Sequence, residues 1–131
     1  MTADSFSRAF ALAFGAHDAD ALAALLARDA GVLTLTGIWA EGRDAAKRAL
    51  MAEFSGTFAR ARLVTGKAVL LPIKDGAAVL HQRFVVSGAV EADGTELPRF
   101  AAMLSAVLVE GTPGAGDLRQ AASLTFSALT E

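Results

Sequence analysis

The sequence predicts an α+β fold, with helices gathered at the front and a hairpin-linked antiparallel sheet behind, in a single domain over residues 1–131. Three observations predict it. Apolar residues in the first half recur at helical spacing, interrupted by one strand-like run. From Arg62 onward, Val- and Leu-rich runs are separated by turn signals at Asp75-Gly76 and Asp93-Gly94. No βαβ alternation, dinucleotide fingerprint or phosphate loop interrupts this pattern.

The elements follow in order. Phe6, Ala9, Phe10, Ala13 and Phe14 fall at i, i+3, i+4, i+7 and i+8, which predicts a helix from Ser5 to Gly15. Asp4 or Ser5 can cap its start. A second helix starts at Asp18, whose carboxylate suits the free N–H groups of a first turn. Leu22, Leu25 and Leu26 form its buried stripe, and it is expected to end near Asp29 with Gly31 as the left-handed stop. Val32 to Ala40 reads as one strand, in which Gly37 marks a bulge or a close backbone approach. A third helix runs from Asp44 to Phe54 with Ala46, Leu50 and Phe54 on one side, stopped by Gly56. The strands that follow are Arg62–Leu71, ended by Pro72, then Ala77–Ser87, Leu97–Glu110 and Leu118–Ser127. Gly111–Gly116 is a loop with three glycines and a proline. The expected order is α-α-β-α-β-β-β-β.

Composition removes several classes of function. A hydrophobic content of 53% over 131 residues is ample for one core. The net charge is −2 with no basic block, so no nucleic-acid partner is expected, because phosphate neutralisation needs clustered Lys and Arg. Cysteine is absent, which removes disulfides, thiolate catalysis and Cys-ligated metals. Two histidines about sixty residues apart give no metal-ligand spacing, and no cofactor motif is present. Ala9–Ala16 is apolar, but Asp4 spoils the basic start of a signal peptide and Phe14 sits poorly near a cleavage site. The longest apolar runs are too short to span a bilayer, so a cytoplasmic protein with no membrane partner is expected.

One stretch carries a resemblance. The text "HDADALAALLARDAGVLTLTGIWAEGRDA", followed by "HQRFVVSG" and the "DGTELPRF" hairpin, resembles the nuclear transport factor 2-like superfamily, which includes SnoaL-like proteins and ketosteroid isomerases. Within it the sequence is most similar to the SgcJ/EcaC-type group. The resemblance implies a cystatin-like cone, in which a curved sheet wraps around the long first helix and an apolar pocket opens between sheet and helices. It also implies a homodimer formed through the sheet. Ketosteroid isomerases place a general-base carboxylate on the first strand, where this chain aligns Thr34. They also use a tyrosine donor, and this chain has no tyrosine. Fold alone does not give function.

The candidate site residues are few. No acid lies in the middle of any expected strand, so a buried carboxylate base is poorly supplied. His17 and Asp18 can form a base and carboxylate at a pocket rim; alternatively Asp18 caps the second helix and His17 fills the turn. His81 and Arg83 share one face of their strand, and Arg99 on the neighbouring strand and Gln120 can join them. That face either lines the pocket, forming a polar end for a carboxylate or enolate, or lies on the outer or dimer side. Trp39 is placed near the pocket mouth by the resemblance, or else packs; Phe14, Met103, Phe84 and Phe100 are core or pocket wall. Two functions follow. One is an apolar small molecule held in the cone, with His17 or His81 as base if a SnoaL-like isomerase or cyclase reaction occurs on a polyketide- or steroid-like ligand. The other is a non-catalytic homodimeric interaction module whose cone is filled by phenylalanine, leucine and methionine. Pocket volume separates them, since drug-sized ligands need roughly 300 Å3 or more.

Overall fold

The structure, a computed structural model, describes residues 3–111 and 118–130. Helix α1 spans Ala3–Gly15, and Phe6, Phe10 and Phe14 are all buried on one face of it. Gly15 lies within the helix. The left-handed residue that turns the chain is His17, with φ of 56°, while the His17 and Asp18 N–H groups bond back to the Phe14 and Ala13 carbonyls. Asp18 then caps helix α2, Ala19–Ala23, accepting from the Ala21 N–H at 3.0 Å.

Two expectations are corrected at this point. Helix α2 ends at Ala23 rather than near Asp29, and strand β1 already occupies Leu26–Leu33. The helix-favouring composition of this stretch yields to tertiary pairing: Leu26, Ala30 and Val32 are buried, and β1 runs parallel to the last strand. The Val32–Ala40 run is likewise a hairpin, not one strand. Thr34 exchanges backbone bonds with Ile38 and Gly37, its hydroxyl accepts from the Ile38 N–H at 3.1 Å, and Gly37 takes φ of 92°. Gly37 is therefore a turn residue rather than a bulge. Strand β2, Trp39–Glu41, returns antiparallel to β1.

Helix α3 spans Arg43–Phe54, as its periodicity predicts within a residue. Arg43 ties it to β1, donating through Nε and Nη2 to the Leu26 carbonyl at 2.9 and 2.7 Å. The remaining strands are β3 (Arg62–Lys74), β4 (Ala77–Ser87), β5 (Phe100–Glu110) and β6 (Leu118–Ala128). Pro72 does not end β3, because β3 is an edge strand and a missing N–H costs little there. Leu97 lies outside β5 and packs against the core ahead of it. Residues 112–116 of the predicted glycine-rich loop, and residue 117 after it, lie outside the described residues.

The six strands form one sheet in the order β2-β1-β6-β5-β4-β3. It is antiparallel except where β1 runs parallel to β6, so the sheet is mixed rather than wholly antiparallel. The helices cover one face. On that inner face Leu80, Phe84, Leu104, Leu108, Leu124 and Phe126 meet the α1 phenylalanines. Seven of the eight phenylalanines are buried, Phe100 being the exception. Burying each contributes about 1.5–3 kcal/mol, alongside the buried leucines of the same core. No helix among the described residues is long and apolar enough to cross a membrane.

Candidate functional site

The cone interior is closed. Between Phe10, Phe14, Val32, Leu50 and Phe126, with Thr34 and Glu53 also lining it, the space amounts to about 10 Å3; a groove of about 580 Å3, open to solvent, runs separately between α1 and the edge strand β3, lined by Ser7, Leu63, Thr65, Ala68 and Gln82. The space among the phenylalanines is at the limit for one water molecule and far below a drug-sized site. The aromatic packing explains the closure. Phe14 meets Phe54 edge-on at 5.2 Å and Phe58 at 5.6 Å, while Phe10 meets Phe126 edge-on at 5.3 Å. Phe14 is thus a core residue on the wall of what little space remains.

Thr34, aligned by the resemblance with an isomerase base, does reach this interior wall, and only 3% of it is exposed. The carboxylate there comes from a different element. Glu53 on α3 is 5% exposed and accepts from the Thr36 N–H at 3.3 Å and from the Thr36 hydroxyl. It pins the β1–β2 turn to α3 across the cavity mouth. The sequence held the signal for it: Ala46, Leu50, Glu53 and Phe54 fall on one helical stripe, so Glu53 had to face inward. The expectation about acids in strands also needs one correction, because Asp29 lies within β1, though exposed.

His17 sits at a rim cleft of about 490 Å3 between the α1–α2 turn and α3, with Asp20, Lys47, Met51 and Ser55. Its Nε2 is 3.2 Å from the Ala61 carbonyl, and its ring meets Phe54 at 5.8 Å. A carbonyl only accepts, so Nε2 carries the proton. Asp18 is spent on the helix cap and makes no bond to His17. Across the cleft Lys47 pairs with Asp20. The hydrogen bond to Asp20, then its charge, holds the Lys47 ammonium above the usual lysine range. Both side chains are exposed, so the pair adds little stability.

The other sequence candidates gather on the outer face of the sheet, opposite the helices. On β4, Leu80, Gln82 and Phe84 are buried inward, so His81 and Arg83 point outward. Arg83 stands opposite Met103, which is half-buried on this outer face and does not wall the interior. Gln120 pairs with Val109. Arg83 and Arg99 are brought together in one recess; His81 stands on the same face between Val69 and Ser105. Trp39 is 58% exposed at the far edge of the sheet, where its indole lies over Gly31 and its Nε1 donates to Glu41 at 3.3 Å. It therefore packs on β1 and does not stand at the interior.

Two buried polar residues drew no functional reading from the sequence. Gln82, 1% exposed, donates its amide to the Gly66, Lys67 and Arg83 carbonyls at 2.9, 3.3 and 2.8 Å, filling the bulge between Thr65 and Ala68. Ser7 is buried beside a groove between α1 and β3, and its hydroxyl has no hydrogen-bond partner among the described residues.

Comparison with known proteins agrees on the architecture. No family model matches the sequence, and no curated protein matches it. Solved structures do match. An uncharacterised protein with a cystatin-like fold from Caulobacter vibrioides superposes with a TM-score of 0.84 at 18% identity, over 97% of this chain and 87% of that one. A ketosteroid isomerase-like protein from Erwinia carotovora atroseptica gives 0.78 at 14% identity, over 98% and 94%. A nuclear transport factor 2-like protein of unknown function in nutrient uptake from Rhodospirillum rubrum gives 0.73 at 16% identity, over 99% and 100%. The chain has the cystatin-like α+β cone fold shared by nuclear transport factor 2-like and ketosteroid isomerase-like proteins.

Proposed function

We propose that this chain works as a non-catalytic homodimeric interaction module whose cone is filled and whose working surface is the outer face of the sheet. The observation that carries this reading is the cavity of about 10 Å3 among the core phenylalanines, which leaves no room there for a drug-sized ligand. The outer face supports it from the other side. Val69 and Leu71 of β3 are exposed there, 42% and 50% respectively, opposite His81 and Val79 of β4 and at the other end of the strand from Arg62. An exposed apolar patch of this kind marks a contact surface. Placement in the SgcJ/EcaC-type group and a cytoplasmic location belong to the same proposal. The test is sedimentation equilibrium of the wild type and of a Val69→Glu/Leu71→Glu variant. A wild-type dimer that the variant converts to monomer is expected. A wild type that stays monomeric across the concentration range overturns the reading.

A second reading rests on Glu53. A buried carboxylate beside Thr34, on the wall of a phenylalanine-lined cavity and beneath a turn, is the arrangement a SnoaL-like isomerase or cyclase needs once the cone opens. The turn would have to move for an apolar polyketide- or steroid-like ligand to enter. In that case Glu53 is the interior base, since His81 faces outward and His17 stands at the rim. An apolar molecule retained by the protein in native mass spectrometry, and lost in a Leu50→Trp variant that blocks the cavity, would favour this reading over the first.

A further inference from the structure

Four arginines stand at one corner of the sheet, where β3 begins, β4 ends and β5 begins. Arg60, Arg62 and Arg99 line a recess of about 430 Å3, together with Ser87. Arg83 and Arg99 line an adjoining recess of about 370 Å3, over Val64, Val85 and Ala101. Arg99 belongs to both. The ladder explains the convergence: Arg62 pairs with Ser87 and Val64 with Val85, which places these side chains and Arg83 on the outer face.

This corner is unusual for the chain. The protein carries 12 Lys and Arg against 14 Asp and Glu, yet the corner is strongly cationic. The one carboxylate lining the larger recess, Glu96, makes no ion pair with any of these arginines. Among the described residues, none of the four guanidinium groups has an ion-pair or hydrogen-bond partner. Like charges lining one recess repel, and an anion between them relieves that repulsion. The residue type also matters. Guanidinium forks match the paired oxygens of a carboxylate or phosphate, and weakly hydrated guanidinium tolerates an apolar floor better than ammonium does.

We propose that the Arg60–Arg62–Arg83–Arg99 corner is a binding site for a small oxyanion, a carboxylate or phosphate carried on an apolar body that rests on Val64 and Val85. This inference is independent of the filled cone and uses neither histidine. It relocates to the outer face the anion-holding role that the sequence assigned to Arg83 and Arg99.

The test is a backbone NMR titration of the intact protein with three probes: 1-naphthoate, 1-naphthalenemethanol and inorganic phosphate. Naphthoate should shift amides around Arg62, Arg83, Ser87 and Arg99. The neutral alcohol should bind at least about ten-fold more weakly, corresponding to the removal of one charge-assisted contact. Phosphate shifting the same amides as strongly assigns the site to phosphate; naphthoate alone assigns it to an apolar carboxylate, and either supports the proposal. An Arg83→Gln/Arg99→Gln variant should lose at least ten-fold in affinity with an unchanged thermal midpoint, since both side chains are exposed. Shifts elsewhere, or unchanged affinity in that variant, overturn the proposal. So does a variant that dissociates a dimer, which would assign the corner to subunit contact.

Discussion

Replacing Phe14 with alanine tests the filled cone. Phe14 is 1% exposed, and its ring lies within 6.2 Å, centroid to centroid, of Phe10, Phe54, Phe58 and Phe126. Truncating a phenylalanine packed in this way costs about 3–5 kcal/mol, the sum of lost transfer energy and the cavity left behind. The upper half of that range is expected, because edge-on aromatic pairs add about 0.5–1.5 kcal/mol beyond area burial. A chain of 131 residues has a total stability of about 7–20 kcal/mol, so the variant should remain folded but weakened. Urea denaturation followed by far-ultraviolet circular dichroism measures the difference; at a slope of about 2 kcal/mol per molar, the midpoint should fall by roughly 2 M. The new space should also bind benzene, raising the midpoint of the variant but not of the wild type. A loss below about 1.5 kcal/mol, or a wild type that benzene stabilises equally, would mean that Phe14 borders an open pocket.

Other consequences follow from single contacts. Thr36→Val removes the hydroxyl donor to the buried Glu53 carboxylate and should cost about 1–3 kcal/mol in urea denaturation; no change would show that Glu53 does not hold the turn. Ser7→Ala should be neutral or stabilising by up to about 1 kcal/mol, because the buried hydroxyl has no partner among the described residues, and a clear loss would reveal one. At Gly31 an added Cβ would lie 2.8 Å from the Trp39 indole, so Gly31→Ala should displace the sole tryptophan and shift its fluorescence; unchanged emission would contradict the packing of Trp39 on β1. The Thr95 N–H, 2.9 Å away, holds the Asp93 carboxyl below its ordinary value of 3.8. A lowered folded-state value stabilises above the ordinary value and is lost as pH falls through it. Asp93→Ala should therefore flatten the decline in stability below pH 3.8, and an identical acid limb would refute the turn contact.

The parts of the fold that were legible in the sequence are those set by local pattern. Phe6, Phe10 and Phe14 announce α1, and Asp18 caps α2 as its side-chain chemistry demands. The α2–β1 boundary was not legible, because an alanine- and leucine-rich run favours helix until its pairing with β6 is known. That partner lies about ninety residues away, at Leu26–Ala121 and Leu33–Thr125. The β1–β2 turn was missed because it lacks the Asn-Gly or Asp-Gly signal, using instead the Thr34 hydroxyl and the positive φ of Gly37. For the site, alternation told that His81 and Arg83 share a face, but only the packing of Leu80 and Phe84 against the helices told which face. Glu53 was legible, through its place on the α3 stripe. The arginine corner was not, because Arg60, Arg62, Arg83 and Arg99 meet only through strand pairing.

The most direct measurement is a crystal structure of the purified protein under xenon pressure. A filled cone predicts no xenon and nothing larger than one water between Phe10, Phe14, Leu50 and Phe126. Xenon bound among those rings, or density for an apolar molecule beside Glu53, would contradict it and return the interior to the role of a ligand pocket.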